Sequence, residues 1–112
     1  MTEVDLAIRN GRIITADGEF RGDVYIKAGK IAGLGHLDAQ AQHSVDASNL
    51  LVMPGMFESH AHLMDPAETA REDMPTGAAA AAAQGVAALI EHSHCTAVRS
   101  GAEFRNKRDY LK

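Results

Sequence analysis

Two histidines one residue apart, His60 and His62, are the part of the chain whose spacing could do chemistry. On a strand, residues i and i+2 point to the same side, with Cα atoms about 6.6 Å apart. Two imidazoles so placed can converge on one metal ion. Glu58 falls on the same side, one step earlier. A carboxylate there can take the proton of a ligand histidine's second nitrogen and so fix its tautomer. The plain alternative is a pair of exposed histidines at a strand end, because the motif is short. A second pair with the same spacing, His92 and His94, follows an apolar run. It reads as a wall that touches substrate, or as a polar strand end that satisfies backbone groups. A further metal site with Cys95 is a weaker alternative, since no tetrahedral partner set accompanies it. Asp65, before Pro66, reads as a turn acid. Arg71, Glu72 and Asp73 read as a surface turn and a helix cap. His36 and His43 read as polar loop residues without a role.

The elements that would position these residues come in two styles, which change near Pro54. Before it, Val4, Leu6 and Ile8 alternate with Asp5, Ala7 and Arg9, the period of a half-buried strand. Asn10-Gly11 reads as a hairpin turn into Ile13 and Ile14, and Asp17-Gly18 as another turn. Strands at Val24–Ile26 and Lys30–Leu34 follow, joined at Ala28-Gly29. Val45 and the run from Leu50 to Met53 supply two short extended pieces. Such spacing suggests a sandwich or a small barrel.

After Pro54, Met56 to His62 reads as a strand that ends in the histidines. Asp73 caps a predicted helix that runs to about Gln84, with Pro75 tolerated in its first turn and Gly85 as its stop. Val86–Ile90 reads as a strand buried on both faces, and Ser100 with Glu103 as the capping box of a second helix. Phe104 and Leu111 share one face of that helix. Strand, helix, strand, helix is the alternation of a parallel α/β sheet. Two such units cannot close a (β/α)8 barrel, which takes roughly 250 residues. On this reading the chain is an incomplete barrel.

Composition excludes several classes. The net charge of -4 argues against a nucleic-acid or acidic-membrane surface. No apolar run approaches the roughly 20 residues of a membrane span. The opening MTEVDLAIRN carries acids and no apolar core, so it does not read as a signal peptide. Cys95 is the single cysteine, which suits a reducing, cytoplasmic location.

The stretch from Leu51 to Leu63, an apolar run, Pro54-Gly55, then Glu58-Ser59-His60-Ala61-His62, resembles the amidohydrolase signature. The resemblance extends through Asp65-Pro66, Thr69, Glu72-Asp73, Thr76-Gly77 and Gly85-Val86 to the cyclic-amide branch: hydantoinases, dihydropyrimidinases, allantoinases and dihydroorotases. Upstream, Asp5 to Ile13, Gly29-Lys30-Ile31 and Val45-Asp46-Ala47 are similar to that family's small β domain. The resemblance implies an α/β fold: residues 1–54 as part of a small β sandwich, and residues 55–112 as the first two β/α units of a metal-dependent (β/α)8 barrel. It implies His60 and His62 as ligands of one or two divalent ions, zinc above all, with Glu58 behind them. The activity implied is opening of a cyclic amide's C–N bond by metal-activated hydroxide. Met64, Asp65, His92 and His94 would be pocket residues, and complete members would be homo-oligomers acting on small molecules.

The family's remaining donors, a bridging carboxylated lysine, two further histidines and a catalytic aspartate, have no counterparts here. Lys107 and Lys112 read as residues of a surface helix and not as substitutes. No residue is therefore assigned as catalytic, and the chain alone is expected to be inactive. The family usually has Asp where Glu58 stands. Dihydroorotases have an arginine at the position of Met64 and an asparagine at that of His94, which argues against dihydroorotate and leaves hydantoin-, dihydropyrimidine- or allantoin-like rings. The competing readings are an inactive truncated gene product, or a β module that docks on a partner and carries a vestigial pair.

Overall fold

The computed structural model describes residues 2–92 and 98–111. The chain divides into two compact units, Met1–Pro54 and Gly55–Lys112. Among the described residues the chain is mainly strand, with two helices.

The first unit is one mixed sheet of five strands: β1 (Thr2–Thr15), β2 (Gly18–Lys27), β3 (Lys30–Gly35), β4 (Ala39–Asp46) and β5 (Leu51–Val52). Its order is β3-β2-β1-β4, with β5 also on β1. β1–β2 and β2–β3 are antiparallel, whereas β4 and β5 run parallel to β1. Among the described residues the expected sandwich is present as a single layer.

Asn10-Gly11 is not a hairpin turn. β1 runs straight through it, and the register with β2 shifts between Ile8 and Gly11. Asn10 takes a positive φ of 64°, which asparagine tolerates better than most residues. The dipeptide that elsewhere reverses a chain here makes a bulge. Asp23 of β2 secures it, accepting the Asn10 backbone N–H at 2.8 Å and the Arg9 guanidinium at 3.3 Å.

Burial departs from the alternation as well. Val4 is buried, but Leu6 and Ile8 are only half-buried, while Ala7 is fully covered in a cluster with Tyr25. Tyr25 lies opposite Ala7 and is tied at its hydroxyl to Asp23 and Leu37, so the large ring shields the small residue. β4 is longer than Val45 alone suggested. It takes in His43, which is therefore a strand residue and not a loop residue.

The second unit holds β6 (Met56–Ala61), α1 (Met74–Ala83), β7 (Val86–Glu91) and α2 (Gly101–Tyr110). β6 and β7 pair in parallel across α1. Asp73 caps α1, its carboxylate accepting the Thr76 N–H, and Pro75 sits in the first turn. Gly85, at φ 83°, follows the helix as its stop. Gly77 is the buried residue of α1, and a Cβ there would come within 2.5 Å of Leu63 Cδ2. This glycine lets the helix approach the segment just beyond the histidines.

β7 is not buried on both faces: Ala87, Ala88 and Ile90 are exposed. Among the described residues its sheet has two strands, and α1 covers only part of it. At α2, Ser100 accepts the Glu103 N–H at 3.2 Å. Glu103 reaches back to Arg99 N–H rather than to the cap residue's own, so the capping box is opened by one residue. Phe104 and Leu111 are both exposed. No helix among the described residues is long and apolar enough to cross a membrane.

Candidate metal centre

β6 ends at Ala61, so His60 is the last outward position of the strand and His62 lies just past it. The period-2 backbone brings their rings together, with Nε2 atoms 3.2 Å apart and centroids at 5.0 Å. Two nitrogens bound tetrahedrally to one zinc at about 2.0–2.1 Å would stand about 3.3–3.4 Å apart. The pair therefore fits two corners of such a site.

His62 is oriented by a backbone group. Its Nδ1 lies 2.6 Å from the His92 carbonyl oxygen. A carbonyl only accepts, so Nδ1 carries the hydrogen and the neutral ring keeps a bare Nε2 toward His60. That is the tautomer a metal ligand needs. The Glu58 carboxylate accepts the His60 backbone N–H at 2.8 Å, and so stiffens the strand end rather than meeting a ring nitrogen.

His92 stands against the pair. Its ring stacks on His60 with centroids 4.2 Å apart and planes at 9°. Its Nε2 is 3.2 Å from the Ser59 carbonyl, and its backbone N–H donates to Ala61 at 2.8 Å. His92 thus joins β7 to the end of β6. His94 and Cys95 lie outside the described residues, as does Lys112. Among the described residues no three His, Cys, Asp or Glu side chains gather as a metal-binding group. The histidines are two donors, one short of the three protein ligands of an open catalytic zinc site.

Met64 is half-buried, and its carbonyl accepts the Glu68 N–H. Asp65 is buried and accepts the Met74 N–H at 2.8 Å, so it helps to start α1. Its Oδ1 has no well-formed hydrogen bond among the described residues, yet Tyr110 is near enough for this carboxylate, with burial, to push the phenol's pKa up. Asp65, Met74, Pro75, Ala78, Tyr110 and Leu111 line a shallow cleft.

α2 is exposed along its length, as expected of a surface-like helix, except at Lys107. Its ammonium lies 2.6 Å from Glu91, and both side chains are nearly buried, at 10% and 12% exposure. α2 has little apolar periodicity to show that Lys107 is its covered position. The pair could not be read from either segment alone.

The chain is 38% identical over 87 residues to an allantoinase from Salmonella paratyphi B, covering 78% of this chain and 19% of that protein. It is 40% identical to an allantoinase from Escherichia coli (strain SMS-3-5) over the same length and shares. It superimposes on the L-hydantoinase (dihydropyrimidinase) from Arthrobacter aurescens with a TM-score of 0.83 and 25% identity, over 95% of this chain and 24% of that one. A D-hydantoinase matches with a TM-score of 0.77 and 30% identity, over 96% and 24%. No family profile matches the chain. In sequence and in fold the chain matches the N-terminal part of a cyclic amidohydrolase. It spans 19% of the length of the curated relatives it matches.

Proposed function

We propose that the chain is the metal-binding front part of a hydrolase that opens cyclic amides of the hydantoin, dihydropyrimidine or allantoin kind. On this reading residues 1–54 belong to the small β domain and residues 55–112 begin the barrel. The observation that carries the reading is the 3.2 Å approach of the two Nε2 atoms, with His62 held in the ligand tautomer. His60 and His62 would hold a divalent ion, zinc by its preference for imidazole nitrogen. Such an ion supplies Lewis acidity toward a carbonyl oxygen and acidifies water. The chain's own residues position this chemistry. Glu58 fixes the strand end, the His92 carbonyl fixes the His62 ring, and the His92 ring closes one side of the pair. Met64 and Asp65 would flank the ring substrate.

Two donors bind zinc weakly, and no described residue is assigned as a general base. The 112-residue chain should therefore bind zinc detectably by calorimetry and lose it on dialysis. His60→Ala and His62→Ala should each abolish the binding. The chain should not hydrolyse hydantoin or allantoin. Zinc uptake unchanged in both alanine variants, or turnover above the His60→Ala background, would overturn the reading.

A further inference from the structure

We infer that Lys107 is a positioning residue for the histidine pair: by holding Glu91 it fixes the His92 carbonyl that sets the tautomer of His62. The inference deepens the metal reading and rests on it for its purpose, though not for its geometry.

Glu91 is the last residue of β7 and lies opposite Ala61, the last residue of β6. The next residue, His92, carries the carbonyl that receives His62 Nδ1–H at 2.6 Å. A shift of well under 1 Å in that carbonyl is enough to weaken so directional a bond. The Ala61–His92 hydrogen bond restrains the Glu91–His92 peptide, the one just before that carbonyl. Lys107 reaches 16 residues back to grip the Glu91 carboxylate at 2.6 Å, on the residue that shares that peptide. The pair is nearly buried, and Glu91 Oε1 has no hydrogen-bond partner among the described residues. A buried pair left with an unsatisfied oxygen is a poor stabilising device, because desolvation offsets most of its attraction. What it does provide is a fixed direction for the end of β7, one peptide from the group that orients His62.

The test uses the full chain and the double substitution Glu91→Leu with Lys107→Met. Replacing a buried ion pair by apolar side chains of similar volume commonly preserves or raises stability. Long-range 1H–15N spectra of the metal-free protein read the His62 tautomer directly. In the wild type the Nδ1–H form should dominate. In the double variant the Nε2–H form should become comparably populated, and zinc affinity should fall about tenfold or more, with the melting temperature held or raised. A merely structural pair would not move the tautomer at constant stability. A folded double variant with the wild-type tautomer overturns the inference. So does a double variant that fails to fold, since the pair would then be holding the fold rather than the histidine. If the wild type takes up no zinc, the metal reading fails, and the tautomer comparison still decides this one.

Discussion

At the scale of single residues, Asp23 and the histidine pair show two ways in which a side chain depends on backbone. Asp23 is 5% exposed and accepts from Asn10 N–H and the Tyr25 hydroxyl, with Arg9 and His36 close by. Burial pushes its pKa up. The Asn10 and Tyr25 hydrogen bonds and the charges of His36 and Arg9 outweigh that, so the carboxyl ends below its usual 3.8. A depressed folded-state pKa adds stability above the unfolded value, and the gain disappears as pH falls through the folded one. Asp23→Asn should therefore lower stability near neutral pH by about 1–3 kcal/mol. It should also flatten the acid limb of the melting curve below about pH 4. Melts across that range check it, and parallel acid limbs for the two proteins would count against it. No local pattern marks Asp23, because its partners are a backbone N–H 13 residues away and a bulge that Asn10-Gly11 disguises as a turn. His60 and His62 were legible because strand period alone puts them side by side. The His92 carbonyl was not, since every residue carries one and only the fold shows where it points.

Elements whose ends are set by local chemistry followed the sequence most closely. Asp73, Pro75 and Gly85 bound α1 by capping, ring geometry and a positive φ, each within a few residues. Elements set by their neighbours did not. β1 continues past Asn10 because β2, β4 and β5 all pair along it. The exposure of β7 depends on what packs over it, which its apolar run cannot report. Gly77 joins the two kinds: its place in α1 is local, but its role is to let Leu63 sit against the helix. Gly77→Val should cost about 1–3 kcal/mol by overpacking, despite removing a glycine from a helix. Because Leu63 directly follows His62, the variant should also weaken zinc uptake. Thermal melts with a zinc titration check both. A variant as stable as the wild type would mean that Leu63 has room to move.

At the scale of the whole molecule, the two units carry different parts of the argument. The first holds the cluster of Val4, Ala7 and Tyr25, and the second holds the histidines. The split at Pro54 was visible as a change from glycine turns to strand–helix alternation. The extent of exposed apolar surface was not: Leu50, Leu51, Met53, Met56, Phe57 and Ile90 are all more than 45% exposed. A ligand stabilises only what it binds, by RT ln(1 + [L]/Kd), about 2.7 kcal/mol at a hundredfold excess over Kd. Zinc held by His60 and His62 should therefore slow amide exchange in β6, at His92 and along β7, where backbone hydrogen bonds join the two strands to the site. It should leave β1 and β2 unchanged, because their hydrogen bonds run to each other and to β3, β4 and β5. Hydrogen exchange with and without zinc, with His62→Ala as the control, reads this strand by strand. Equal slowing in both units would show that the ion acts through something other than the histidine pair. Slowing confined to β6 and β7 and absent from the control would tie the ion to the strand end where the two imidazoles meet.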